Sequence, residues 1–218
     1  MREKITNAII ENKLIVIVRG IESSQLIPLA EALYEGGIRL MEITYSADQS
    51  VADIKTAEQI NMLSEYMNGR MFIGAGTVLT EEQVKLTADA GGGFIISPDV
   101  FPDVIRKTRA LNMVSIPGAL TPTEIQTAVC SGADFVKLFP ASAFGPDYIK
   151  AITAPLSHVR LLAVGGITLD TISTYLSVGI CGFGIGTGIV NKSLMDKGDF
   201  TAITAHTKQY RDRIMLEG

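Results

Sequence analysis

A chain of 218 residues, 47% hydrophobic and 19% charged, fits one domain spanning 1–218 with a substantial core and leaves little room for a second. A net charge of -4, with no run of Lys and Arg, argues against nucleic acid or an anionic membrane as partner, so a small molecule is expected. Residues 1–12 lack the apolar core and cleavage site of a signal peptide, and later apolar runs are too short to span a bilayer, which predicts a cytoplasmic protein.

Short apolar, β-branched runs alternate with amphipathic stretches along the chain. After a short N-terminal helix, strands are expected at 14–18, 38–44, 71–75, 94–97, 113–116, 135–139, 159–164 and 180–185. Helices are expected between them, among others at 24–34, 81–90, 102–111 and 123–130, with Thr80 and Thr121 as N-caps. Glycines at Gly36-Gly37, Gly91-Gly92, Gly132 and Gly179 read as stops for the preceding helices. Such a succession in a chain of this length predicts a single-domain (β/α)8 TIM barrel, a fold with a lower limit near about 200 residues. A doubly wound open sheet is the alternative; no GxGxxG follows the first strand to favour it. Cys130 and Cys181 lie in apolar surroundings without metal-ligand spacing and are expected to be buried free thiols.

A barrel of this kind carries its chemistry at the C-terminal ends of its strands. Lys137 falls there, on the same face of the sixth strand as Phe135 and Phe139. Burial lowers the pKa of a lysine and makes its amine a nucleophile toward a ketone; a structural ion pair is the competing explanation. Glu42, alternating with Met41 and Ile43 on strand two, also points inward. Both come from even-numbered strands, so they can meet in one layer of the barrel interior.

Arg19 follows strand one, Thr77 strand three and Pro98 strand four. Gly165-Gly166 follows strand seven and Gly186-Thr187 follows strand eight, loops through which backbone can approach an anion, with a helix N-terminus expected behind each. The two histidines, His158 and His206, fall away from these ends, so amine catalysis without metal or cofactor fits better than zinc chemistry. A phosphosugar isomerase or epimerase with Glu42 as base, and a non-catalytic phosphate-ligand sensor, are the rival readings.

The segments Val18-Arg19-Gly20, Met41-Glu42-Ile43-Thr44, Gly74-Ala75-Gly76-Thr77-Val78-Leu79, Ile96-Ser97-Pro98, Ile116-Pro117-Gly118, Val136-Lys137-Leu138-Phe139-Pro140 and Val164-Gly165-Gly166-Ile167 carry a resemblance over nearly the whole chain. Together they resemble the 2-keto-3-deoxy-6-phosphogluconate and 4-hydroxy-2-oxoglutarate aldolase family. The resemblance implies a class I aldolase, usually a homotrimer, acting on a phosphorylated keto acid. Lys137 would form the Schiff base and Glu42 would be the general acid/base. Thr77 would lie near the pyruvate carboxylate, Gly165, Gly166, Gly186 and Thr187 around the phosphate, and Pro98 and Phe139 with the substrate-binding residues.

The chain also departs from the family pattern. Ser46 stands where gluconate-type members carry an arginine, so Arg19 is expected to take over the carboxylate, as in the similar 6-phosphogalactonate branch. Val164 stands where gluconate-type members tend to have a threonine touching the C4 hydroxyl. The 4-hydroxy-2-oxoglutarate activity is the alternative within the family.

Overall fold

The structure, a computed structural model, describes residues 1–46 and 51–217. The elements run α1 (Arg2–Asn12), β1 (Leu14–Val18), α2 (Ser23–Glu35), β2 (Leu40–Thr44), α3 (Val51–Tyr66), β3 (Phe72–Gly76), α4 (Glu81–Asp89) and β4 (Phe94–Ile96). They continue with α5 (Pro102–Ala110), β5 (Val114–Ile116), β6 (Gly118–Ala119), α6 (Pro122–Cys130), β7 (Val136–Leu138), α7 (Gly145–Thr153) and β8 (Leu161–Val164). Last come α8 (Ile172–Ser177), β9 (Gly182–Ile185), α9 (Lys192–Lys197) and α10 (Phe200–Glu217). The expected strands and helices are present, with ends displaced by a residue or two. Thr121 and Glu124 form a full capping box on α6, and the hydroxyl of Thr80 accepts from the N–H of Gln83 at 3.2 Å.

Strand pairing is parallel throughout, in the order β5-β4-β3-β2-β1-β9-β8-β7-β6. The expected fifth strand goes further than its apolar run. β5 and β6 are its two halves, separated by Pro117, which has no N–H for the ladder. The first half pairs with β4 and the second with β7. Backbone bonds from Phe135 to the Ser115 carbonyl (3.3 Å) and from Lys137 to the Pro117 carbonyl (2.8 Å) draw the ring together. Gly118 packs its α-carbon against the carbonyls of Ser97 and Pro98, an approach that a side chain would block.

The core has two parts. Outward-facing strand residues such as Val16, Met41, Val136 and Leu138 pack beneath the helices. Inside the barrel, Ile15, Leu40, Phe94, Val114, Phe135 and Leu162 form a second cluster with Ile5, Ala8 and Ile9 of α1. α1 therefore plugs the N-terminal end, and burying Ile5 and Ile9 contributes about 1.5–3 kcal/mol each. Asp134 fastens the plug, accepting from Arg2 Nη2 at 2.8 Å, Arg109 Nη1 at 2.6 Å and the Ser115 N–H at 3.0 Å.

The cysteines depart from expectation. Cys130 is exposed, because it ends α6 on its outer face, and Cys181 is only partly covered; both are free.

The plug leaves the other end of the barrel open. Two residues further along their strands, the apolar interior positions Ile15, Leu40, Phe135 and Leu162 are succeeded by Ile17, Glu42, Lys137 and Val164. Period-two alternation keeps each pair on one face, so the second layer looks into a cavity.

Candidate active site

The cavity measures about 570 Å³ and opens at the C-terminal end of the barrel. The structure brings Lys137, Glu42, Arg19, Thr77, Pro98, Phe139, Gly165, Gly166, Gly186 and Thr187 together in its wall. The list of strand-end residues read from the sequence is thus one constellation in space.

Lys137 is central in β7 and 8% exposed, with Nζ lying 4.5 Å from the centre of the Phe139 ring. Loss of hydration pushes its pKa down, the charge of Glu42 pushes it up and Arg19 pushes it down, leaving the amine below the ordinary lysine range. Glu42, central in β2, is 2% exposed. Burial raises its pKa against the pull of Lys137 and Arg19, to about 7. Its Oε2 has no hydrogen-bond partner. The two groups affect each other through space, without a hydrogen bond or ion pair between them. A stabilising buried bridge would need close pairing and satisfied oxygens, so the geometry does not match a structural ion pair.

Glu42 has room because Gly76 lies beside it. A β-carbon there would collide with the carboxylate, and one on Gly74 would meet the Phe94 ring. This role of Gly76 was missed from sequence. The signal was present in Gly74-Ala75-Gly76, which puts two glycines on one face of the strand next to Glu42.

Arg19 Nη2 donates to Thr77 Oγ1 at 3.0 Å, joining the ends of β1 and β3 across the mouth above β2. Thr77 has φ 57, a left-handed conformation unusual for a β-branched residue, which costs about 1–3 kcal/mol and is typical of functional sites. Ser46 does not line this cavity. It opens onto a neighbouring hollow of about 350 Å³ with Lys55 and Gln59, and Arg19 borders both.

The glycine loops differ from expectation in what backs them. α8 and α9 begin only at Ile172 and Lys192, so neither starts directly behind the glycines. After β9 there is instead a turn in which Gly186 O accepts from the N–H groups of Ile189 (2.9 Å) and Val190 (2.8 Å). Among the described residues, the N–H groups of Gly166, Ile167, Thr187 and Gly188 have no acceptor. Gly165 and Gly166 take successive positive φ angles of 93 and 74, which turn the loop toward the mouth. The cavity wall can thus offer an anion several N–H donors and the Thr187 hydroxyl.

His206 does not line the cavity, in keeping with its expected place off the active face, yet its Nε2 lies 2.6 Å from the carbonyl oxygen of Gly188 in the cavity wall. One turn along α10, Tyr210 lines the cavity itself. A position in a C-terminal helix gives no hint of this in sequence.

A family profile for KDPG and KHG aldolases matches residues 5–206. A probable 2-dehydro-3-deoxy-6-phosphogalactonate aldolase of Rhizobium meliloti is 38% identical over 87% of this chain and 86% of its own length. The 2-dehydro-3-deoxy-6-phosphogalactonate aldolase of Escherichia coli is 33% identical over 92% of this chain and 96% of its own length. A KDPG aldolase from Legionella pneumophila, solved with pyruvate captured as a covalent carbinolamine intermediate, superposes with a TM-score of 0.83 at 28% identity, covering 93% of this chain and 96% of that one.

Proposed function

Because the chain belongs to the KDPG and KHG aldolase family, we propose that it is a class I aldolase cleaving a 2-keto-3-deoxy-6-phospho sugar acid to pyruvate and glyceraldehyde 3-phosphate through an imine on Lys137. The observation that carries this reading is a buried, unpaired amine facing a buried carboxyl group poised near neutrality, in one cavity.

The neutral amine of Lys137 attacks the C2 ketone to give a carbinolamine. Loss of water then yields an iminium. The iminium accepts the electron pair of the C3–C4 bond as that bond breaks and the C4 hydroxyl loses its proton. Glyceraldehyde 3-phosphate departs, the pyruvate enamine is protonated at C3, and water returns pyruvate and the free amine. With a pKa near 7, Glu42 exists in both protonation forms and can donate in the dehydration step and accept in the cleavage step. Such positioned proton transfer contributes roughly 100- to 10,000-fold in rate.

Arg19, joined to Thr77, takes the substrate carboxylate, a role that Ser46 in its separate hollow does not serve. Gly165, Gly166, Gly186 and Thr187 take the phosphate, with Pro98 and Phe139 as apolar wall of the cavity. Holding both ends of the substrate makes the attack effectively intramolecular. Val164 faces the cavity with no hydrogen-bonding group, and the two relatives described above are named for the galactonate epimer; both favour that epimer as substrate. We extend the proposal to one catalytic domain over 1–218, assembled as a cytoplasmic homotrimer, which light scattering on the purified protein tests.

Borohydride reduction in the presence of pyruvate, followed by peptide mass analysis, tests the chemistry. The expected product is an Nε-(1-carboxyethyl) adduct on Lys137; an unmodified Lys137 overturns the mechanism.

A further inference from the structure

α8 and α9 begin several residues beyond the two glycine loops, and the first loop is held instead by the Ser142 N–H, which donates to Gly165 O at 3.3 Å. α10 lies against the loop after β9. His206 Nε2 approaches the Gly188 carbonyl oxygen at 2.6 Å. A carbonyl only accepts, so the ring nitrogen is the donor and carries its proton there. The edge of the His206 ring meets Tyr210, with centroids 5.2 Å apart and planes at 80°. Tyr210 is buried, and its hydroxyl lies so near Gly188 that a β-carbon on that glycine would come within 2.9 Å of it. Tyr210 also lines the cavity, as do Ile167 and Thr168 of the stretch that continues from Gly165 and Gly166. One helix therefore touches the loop after β9 at two points one helical turn apart.

We propose that His206 and Tyr210 are positioning residues that hold the Gly186–Thr187 loop in place through Gly188 and so determine affinity for the phosphoryl end of the substrate. The idea rests on the aldolase reading for its substrate, but the cradle itself is accessible with inorganic phosphate alone. A cradle of N–H donors binds a tetrahedral anion well only when all its donors converge, and a small misplacement of one loop loses several bonds together. His206 fixes the loop by directing Gly188 O toward the helix, which turns the neighbouring N–H groups to the cavity. Tyr210 packs its hydroxyl against Gly188 and backs the same loop from within the cavity wall.

The test combines phosphate binding by calorimetry with steady-state kinetics on phosphorylated and unphosphorylated substrates, for wild type, His206→Leu, His206→Gln and Tyr210→Phe. In His206→Leu, phosphate affinity is expected to fall about tenfold and KM for the phosphorylated substrate to rise about as much, roughly the worth of one charge-assisted hydrogen bond, with kcat nearly unchanged. KM for 4-hydroxy-2-oxoglutarate, which has no phosphate, is expected to stay put. His206→Gln keeps an N–H donor and is expected to recover most of the phosphate affinity. Tyr210→Phe keeps the ring, so it folds even where a histidine variant does not, and it is expected to weaken phosphate binding as well.

Unchanged phosphate affinity in both His206→Leu and Tyr210→Phe overturns the proposal. So do equal losses on the two substrates, and so does a wild type that binds no phosphate. Weakened phosphate binding in a protein that traps no pyruvate supports the brace and rejects the aldolase reading instead.

Discussion

The carboxylate of Glu42 rests on the α-carbon of Gly76, with its Cδ 2.6 Å from the point a β-carbon on that glycine would occupy. A methyl group at position 76 must therefore move the proposed acid/base. Gly76→Ala is expected to keep the barrel, as read by circular dichroism, while kcat falls about 100-fold, the usual consequence of displacing a catalytic group by about 1 Å. Turnover within threefold of wild type would contradict the assigned role of Glu42.

The raised pKa of Glu42 has a signed effect on stability. Folding lifts its pKa from 4.5 to about 7, so between those values the folded chain holds a proton that the unfolded chain has released. Stability from this group is thus full below pH 4.5, declines as pH rises toward 7, and is replaced above it by the cost of a buried charge, about 3 kcal/mol before relaxation. Glu42→Gln removes the titration. Urea denaturation is expected to show the variant gaining on wild type from pH 5 to pH 8; a constant or reversed difference would contradict the buried-carboxyl assignment.

Thr77 couples strain to binding. Its φ of 57 is easy for glycine and costly for threonine, so Thr77→Gly is expected to relieve about 1 kcal/mol while removing the hydroxyl that Arg19 contacts. The two effects have opposite signs. Thermal melts should show a variant at least as stable as wild type, while KM for the keto acid rises severalfold. Arg19→Lys is expected to weaken binding in the same way without the gain, because an ammonium does not reproduce the planar fork. A Thr77→Gly enzyme with wild-type KM would dissociate Thr77 from the carboxylate.

At the opposite end, Asp134 is a structural charge. Burial raises its pKa, but hydrogen bonds from Arg2, the Ser115 N–H and Arg109 outweigh burial and hold it below the ordinary aspartate value. Its contribution is present above the unfolded value of 3.8 and is lost as pH falls through the lower folded one. Asp134→Ala strands two arginines that are each about a third exposed, so the loss at neutral pH is expected at about 2 kcal/mol rather than the roughly 3–5 found for fully buried pairs. Denaturation midpoints should differ at pH 7 and draw together as pH falls from 3.8 through the lower folded value, with pyruvate trapping on Lys137 intact. Loss of trapping in a folded Asp134 variant would contradict the separation of plug and site.

Strand-end chemistry was legible because period-two alternation is local. A lysine between Phe135 and Phe139 must face where they face, and Glu42 must face with Leu40 and Thr44. Polar residues clustered at one end of successive strands could therefore be counted before any contact was known. The break at Pro117 hid the second half of strand five, because an apolar run interrupted by proline looks like a strand that stops. The exposure of Cys130 is hidden for a related reason: apolar neighbours along a helix do not report which side of it a residue occupies.

The sequence by itself determined the alternating unit, the barrel, the inward amine and carboxyl, and the glycines at the mouth, all through periodicities of a few residues. Only the tertiary structure decided that Glu42 and Lys137 share a cavity without pairing, that Arg19 reaches Thr77, that Gly76 clears the carboxylate, and that His206 holds Gly188. Those relations join residues on different strands and helices. Their distances depend on barrel closure and on where α10 docks, and no local pattern encodes either.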